Sequence, residues 1–195
     1  RDGASGARIK GSPSINDYAF FVSAEWELSP NISLKPGFRT IKNSVYDAPP
    51  LIPALNAKLT ISDNLSLRLG YAQGFRAPAL RELYFDFFDA SHSIMGNENL
   101  KAERSNSFSG SLVLHQHKEV VQWSSTLNGF YNKFTDRIDY AVSADDASIT
   151  SLINVGTYKT AGGSLENRID YKNLTLNIGF SHIGRYNRLI EQPTT

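Results

Sequence analysis

Cysteine is absent from the 195 residues of this sequence, and methionine occurs only once. The chain therefore has no disulfide bonds and no thiolate ligands for zinc or an iron–sulfur cluster. An excess of one charge is also lacking: the formal net charge is +1, which gives no reason to expect a nucleic-acid partner. No apolar run reaches about eighteen residues, which excludes a membrane-spanning helix but not the strands of a membrane barrel.

Catalytic motifs are missing as well. Serine, histidine and aspartate occur, but not as a nucleophile elbow or with triad spacing, and no glycine-rich phosphate-binding loop is found. The four aspartates Asp86, Asp89, Asp145 and Asp146 lack the spacing of a calcium-binding loop. The sequence thus predicts neither an enzyme nor a metal centre.

Apolar residues instead recur at every second position along most of the chain. The first such run consists of Tyr18, Phe20, Val22, Ala24, Trp26 and Leu28. A period of two held over about ten residues predicts a strand with one apolar side. Together the runs predict about eight strands in four hairpins, so the predicted fold class is all-β, an antiparallel up-and-down meander.

Short turns alternate with long connections between these strands. The predicted turns are Ser29 to Asn31, Ser62 to Asn64, residues 115–119 and Lys172 with Asn173. The predicted long connections are residues 40–50, 73–102 and 136–151. All turns should lie at one end of the sheet and all long connections at the other, as in outer-membrane barrels. A soluble antiparallel sandwich or lipocalin-like barrel has the same alternation, so alternation alone leaves both readings open.

The two faces of the predicted sheet differ in polarity. The residues expected to point outward are Leu59, Leu67, Leu69, Leu127, Leu176 and Ile178. Those expected to point the other way, toward a polar lumen, are Lys58, Arg68, Glu166 and Arg168. Four aromatic residues at or near predicted strand ends are expected to mark the membrane interfaces: Trp26, Tyr71, Trp123 and Tyr171.

The connection at residues 73–102 is far longer than the usual four to six residues. Its apolar residues are Phe75, Leu80, Leu83, Tyr84, Phe85, Phe87, Phe88, Ile94 and Met95. This content is too high for a disordered linker, so we expect the loop to pack on another part of the molecule and to handle a ligand.

Two short motifs in this loop carry a family resemblance. The first is GFRAP at residues 74–78 followed by LRELY at 80–84, and the second is GNENLK at 96–101. In this order and at this distance they resemble the paired signature of TonB-dependent outer-membrane receptors. The second motif departs from the family pattern, because Glu98 and Ala102 stand where prolines are usual. Weaker similarity lies in residues 130–138, in NVG at 154–156 and in GGSLE at 162–166.

The resemblance implies that residues 1–195 form an internal part of a larger transmembrane β-barrel, without its plug domain and remaining strands. It further implies import of haem, a ferric siderophore or cobalamin across the bacterial outer membrane, with energy from the TonB complex acting through the absent plug. The bilayer and a small-molecule ligand would then be partners, and no resident cofactor is required. The alternative is a β-sheet binding or adhesion module that transports nothing.

The resemblance also suggests roles for individual residues. Motif residues expected to fix the loop geometry are Phe75, Arg76, Ala77, Pro78, Asn97, Asn99 and Leu100. Arg76 would pair with Glu82, Glu98 or Glu103, or else contact ligand. His92, between the two motifs, is a candidate iron ligand for haem, because neutral imidazole is a competent axial ligand. The remaining candidates for ligand contact, or for a small core within the loop, are Arg81, Tyr84, Phe85, Asp86, Phe88 and Asp89.

Overall fold

A computed structural model describes residues 8–9, 14–88, 93–143 and 146–188. Most of them belong to one sheet of twelve strands. The strands are β1 (Arg8–Ile9), β2 (Asp17–Ser23), β3 (Trp26–Ser29), β4 (Ile32–Asn43), β5 (Ile52–Ser62), β6 (Leu65–Arg76), β7 (Phe85–Phe88), β8 (Ser93–Met95), β9 (Glu103–Lys118), β10 (Val121–Val142), β11 (Thr150–Tyr171) and β12 (Leu174–Arg188). The same ranges contain one short helix, α1, which spans Leu80–Tyr84. Within the described ranges, no helix is long and apolar enough to cross a membrane.

The predicted meander is confirmed. Strands β4, β5, β6, β9, β10, β11 and β12 follow one another as antiparallel neighbours, and β2 and β3 both pair with β4. The sheet curls into half of a barrel. One detail differs from a purely antiparallel sheet: β8 pairs with the start of β11 in parallel, and β7 pairs antiparallel with β1 and β8.

The first predicted strand is interrupted between β2 and β3. The interruption lies opposite Pro36 of β4, which has no N–H to donate across the ladder. The carbonyl of Pro36 still accepts a hydrogen bond from the N–H of Ala24 at 3.1 Å. The two short strands therefore behave as one strand with a local gap. Counted in this way, the meander has the eight strands that the sequence predicted.

All four turns lie at one end of the sheet, as the sequence predicted. One boundary was wrong: residues 115–118 continue β9, and only Glu119 and Val120 form the turn. Strands also extend further into the long connections than alternation suggested, so these connections shrink to residues 44–51, 77–102 and 143–149. The extended segments escaped the pattern because β10 and β11 carry polar or aromatic residues on both sides beyond the alternating part.

The strand register confirms the two predicted faces. On one face Leu67 lies opposite Leu59 and Leu112, and Leu127 lies opposite Leu112 and Leu165. On the other face Lys58 lies opposite Arg68, and Glu166 opposite Thr126. Leu69, Leu127 and Ile178 remain 47 to 56% exposed, so the apolar face is uncovered in this chain.

The aromatic residues predicted for strand ends need one correction. Trp26 begins β3, Trp123 is near the start of β10 and Tyr171 ends β11. Tyr71, however, lies in the middle of β6. Its ring is 4.9 Å from that of Phe108, and Tyr131 continues the same row.

Candidate ligand-handling loop

The helix α1 begins directly after the first family motif. Pro78 is fully buried and disfavours helical geometry for Ala77, so the chain leaves β6 extended. Glu82, at the third helical position, accepts a hydrogen bond at 2.7 Å from the N–H of the N-cap residue, Ala79. This is one half of a capping box, since alanine has no side-chain oxygen to complete it. Leu83 then points inward and is 2% exposed.

Arg76, the last residue of β6, joins the two ends of the loop. Its Nη1 lies 2.8 Å from Glu82 Oε2, and its Nε lies 2.7 Å from Glu103 Oε2. These are two of the three carboxylates expected to pair with it. The other oxygen of Glu103 accepts the N–H of Ile138 at 2.7 Å. The Arg76 side chain is 45% exposed, so these ion pairs contribute modestly to stability and mainly fix geometry.

The second family motif, residues 96–101, is held against α1 and β11. The N–H of Gly96 donates to the carbonyl of Phe85 at 2.8 Å, and that of Asn97 to the carbonyl of Glu82 at 3.0 Å. The side chain of Asn97 donates to the carbonyl of Leu152 at 2.8 Å. Its Oδ1 accepts the N–H of Asn99 at 2.9 Å, which closes the turn.

Asn154 of β11 is the central polar contact at the loop base. Its Oδ1 accepts the N–H of Lys101 at 2.7 Å, and its Nδ2 donates to the carbonyls of Lys101 at 3.0 Å and Asp136 at 2.7 Å. Three backbone groups from two chain segments therefore meet on one amide side chain. This residue lies in the NVG motif, whose similarity to the family gave no indication of the contacts it makes.

A small hydrophobic core lies beneath these hydrogen bonds. Its buried members are Leu83, Leu100, Ile138 and Leu152, with Ile15, Tyr46 and Tyr84 packed against them. Burial, followed by the proximity of Tyr84 and Glu82, raises the pKa of the Tyr46 phenol, so it stays neutral where it packs. The core explains the high apolar content of the loop, because the loop covers the long-connection end of β10 and β11.

Replacing Asn154 by alanine is expected to lower the free energy of unfolding by about 1–3 kcal/mol, because partly buried carbonyl and amide groups lose their partner. The loop should also become easier to cleave. Chemical denaturation and limited proteolysis of the full-length protein measure both effects. The control is Asn128→Ala on the same strand pair, whose side chain makes one hydrogen bond within the described ranges, to Ser164 Oγ at 3.1 Å. Equal effects of the two substitutions would contradict the assigned role.

The predicted ligand-contact residues separate into different environments. The guanidinium of Arg81 lies 4.5 Å from the ring centroid of Phe85, and the rings of Phe85 and Phe87 are parallel within 4° at 6.3 Å. We call Arg81, Phe85 and Phe87 the ledge. Tyr84 packs toward the core. In the alternating strand β7, Asp86 and Phe88 face away from the ledge.

Two other predicted contact residues, Asp89 and His92, lie outside the described residues. Among the described part of the chain, no group of three or more histidine, aspartate or glutamate side chains is arranged to hold a metal ion. The ledge is thus the one place in the described loop where a cation and aligned aromatic rings occur together. It offers stacking and charge complementarity to a flat, anionic molecule.

A comparison with protein-family models agrees with the motifs, the meander and the docked loop. Residues 2–194 match the model described as TonB dependent receptor-like, beta-barrel. The chain belongs to this family. Members of the family share the asymmetry of turns and long connections seen here.

Individual relatives cover parts of the chain. The hemoglobin and hemoglobin-haptoglobin-binding protein of Haemophilus ducreyi is 40% identical over 79 residues, 40% of this chain and 8% of the relative. The ferric enterobactin receptor of Pseudomonas aeruginosa is 26% identical over 156 residues, 74% of this chain and 20% of the relative. The chain therefore spans a fifth or less of the length of these relatives.

Solved structures show the same fold. The hemophore receptor of Serratia marcescens, in complex with its hemophore and heme, superposes with a TM-score of 0.74 at 13% identity, covering 87% of this chain and 34% of that one. The ferric enterobactin receptor of Pseudomonas aeruginosa gives 0.69 at 19% identity, covering 87% and 26%.

Proposed function

We propose that this chain forms a wall segment and an outer loop of an outer-membrane receptor that imports an iron complex, haem or a ferric siderophore, with energy from TonB. The observation that carries the proposal is the loop at residues 77–102. It is fixed to the long-connection end of the sheet by its own core and hydrogen bonds, and it presents the ledge. Such a loop is a stable platform rather than a free linker.

The uncovered apolar face of the sheet supports the proposal that a lipid bilayer surrounds it. On that face of β10, Trp123 and Tyr131 are eight positions apart, with Leu127 midway. At about 3.3 Å per residue and a tilt of about 40°, the two aromatic residues are about 20 Å apart along the bilayer normal. This distance is close to the height of about 25 Å of the apolar band in outer-membrane barrels.

The chemistry of the ledge and the names of two relatives support an iron complex as the ligand. Haem combines a flat apolar ring with two carboxylates, and catecholate siderophores combine aromatic rings with negative charge. Both suit a cation beside parallel rings. Two relatives bear names that refer to haemoglobin and to ferric enterobactin. Cobalamin, also implied by the sequence motifs, lacks this support.

Growth under iron limitation tests the proposal. A host lacking its own receptors would carry the full-length parent receptor and receive haemoglobin, haem or ferric enterobactin as its only iron source. We expect the host to grow on one of these sources. This growth should be lost in a host without TonB, and it should be reduced when Arg81 and Phe85 are both replaced by alanine. Ligand binding without growth on any source would favour the binding or adhesion module instead.

His92 provides a prediction specific to haem. If the receptor takes up haem through this imidazole, His92→Ala should weaken haem binding and change the absorbance spectrum, whereas His115→Ala at the opposite end of the sheet should not. Binding should also weaken as pH falls through the histidine pKa, near 6.5 for an unperturbed side chain, since only neutral imidazole binds iron. An unchanged spectrum in the first variant would remove His92 as the ligand.

A further inference from the structure

Two lysines lie directly opposite each other on the outward, apolar face of the sheet. Lys133 of β10 and Lys159 of β11 are register partners, and their row across the sheet continues to Asn106 of β9 and Tyr186 of β12. Lys133 is six positions after Leu127 in the same strand, so alternation puts both on one face. Like charges in directly opposite positions destabilise an antiparallel pair. An anion held between the two ammonium groups would remove this cost.

Within the described ranges, the sheet supplies no such anion. Neither lysine makes an ion pair there, and the other register partner of Lys133 is the neutral Asn106. The Nζ of Lys159 lies 5.7 Å from the ring centroid of Tyr186, which is also a neutral side chain. A third cation, Arg104, is exposed two positions from Asn106 on the same face and makes no ion pair among the described residues. Three positive charges are therefore gathered without a carboxylate.

These three cations lie at the edge of the apolar band, on the side of the long connections. The adjacent row toward the turns contains the aromatic rings of Phe108 and Tyr131, with Tyr71 beside them. The hydroxyl of Tyr71 donates to Asn106 Oδ1 at 2.9 Å, so the polar edge of the aromatic row faces the row of lysines. Aromatic side chains of this kind lie at the level of lipid headgroups. The cations are thus at headgroup depth or just beyond it.

A shallow trough runs from the lysines toward the turns. Its floor is made of two register pairs with almost no side chain, Gly129 with Gly163 and Ala161 with Gly184. A Cβ added at Gly129 would meet its nearest atom at 3.9 Å, and one added at Gly184 at 3.7 Å, so the space above both is open. Tyr131, the partner of Ala161 on β10, borders the trough. A hydrocarbon chain could lie along this floor in contact with the backbone.

We infer that Lys133 and Lys159, with Arg104 beside them, bind a phosphate group of a lipid in the leaflet on the side of the long connections, with an acyl chain of that lipid in the trough. Lysine stems lie along apolar surface while their ammonium groups reach the headgroups, and clustered cations at this depth attract anionic headgroups. A soluble anion would use the cations but not the trough, and a neutral lipid would use the trough but not the cations. A phosphorylated lipid uses both.

The inference rests on the proposed outer-membrane barrel, yet its test requires no uptake. The purified full-length receptor, stripped of lipid in a non-ionic detergent, would be titrated with lipid A, whose sugar headgroup carries phosphates. Native mass spectrometry measures the bound lipid. Replacing Lys133 and Lys159 together by glutamine should weaken binding about tenfold or more, because charge-assisted contacts to phosphate are lost. Lys58 and Arg68 provide the matched control, since they are also directly opposite cations but lie on the polar face. Their replacement by glutamine should leave lipid A binding unchanged.

Three further measurements separate the headgroup from the chain. Lipid A without its phosphates should bind about as weakly to the parent receptor as lipid A does to the lysine variant. Inorganic phosphate at the same concentration should not displace the lipid. Gly129→Leu, which fills the trough and keeps the cations, should also weaken binding.

Equal binding of lipid A with and without phosphates, displacement by inorganic phosphate, or equal losses in the lysine variant and in the control of the polar face would overturn the inference. An unchanged affinity in the Gly129 variant would do so as well, by leaving the acyl chain without a place. A receptor that binds lipid A in this manner but supports no growth on any iron source would retain the lipid site and refute the proposed import.

Discussion

Replacing Gly96 by alanine is expected to detach the loop at residues 77–102 from its docked position. An alanine Cβ at this site would lie 2.7 Å from both the carbonyl carbon and the oxygen of Leu83, and 2.9 Å from the nitrogen of Tyr84. All three are backbone atoms at the end of α1. The helix cannot retreat easily, because Leu83 is 2% exposed and packs in the core. A cost at the upper end of about 1–3 kcal/mol is therefore expected.

Limited proteolysis of the full-length receptor in detergent would measure this effect, because a detached loop is cleaved faster than a docked one. Ligand affinity should fall in parallel. Gly110→Ala in β9 is the control for the substitution itself: a Cβ there meets Leu69 Cδ2 at 3.5 Å, an ordinary contact. Cleavage of the Gly96 variant at the rate of the parent protein would show that the close approach has no consequence.

The sheet was predictable from sequence because its determinants are local. One face of each strand is apolar and the other polar, so a period of two identifies both the strand and its orientation. Leu67 and Arg68 are neighbours in sequence and lie on opposite faces for this reason alone. The turns were predictable for a similar reason, since Asp63 with Asn64 and Lys172 with Asn173 are residues that favour tight turns. The turn after β9 was placed too early because the apolar pattern stops after Leu114, where Gln116 and Lys118 take the outward positions, while the ladder continues to Lys118.

The loop could be predicted only in part, because its structure depends on partners distant in sequence. The high apolar content indicated that the loop packs on the rest of the molecule, and the motifs indicated which of its residues fix it there. Nothing local reveals that Asn154 would bind Lys101, 53 positions earlier, or that Glu103 would satisfy the N–H of Ile138. The parallel pairing of β8 with β11 is equally non-local. Tyr71 was placed at a strand end because β6 was expected to stop soon after it, whereas pairing with β9 extends that strand to Arg76.

Replacing Leu127 by arginine is expected to be among the most costly single substitutions on the outward face. Leu127 lies between Leu112 and Leu165 and midway between Trp123 and Tyr131, which places it near the centre of the proposed apolar band. An arginine facing lipid near the midplane of an outer-membrane barrel costs about 2–4 kcal/mol, because its charge loses hydration that lipid cannot replace.

Reversible folding of the full-length receptor into lipid vesicles from denaturant measures this cost. Thr126→Arg is the matched control, since it adds the same side chain one position earlier, on the polar face and directly opposite Glu166. There the guanidinium remains hydrated and gains a carboxylate neighbour, so the cost should be close to zero. The difference between the two variants isolates the effect of the face from the effect of the residue. Equal costs would mean that the apolar face does not meet lipid, and the soluble sandwich would again be a valid reading of the alternation.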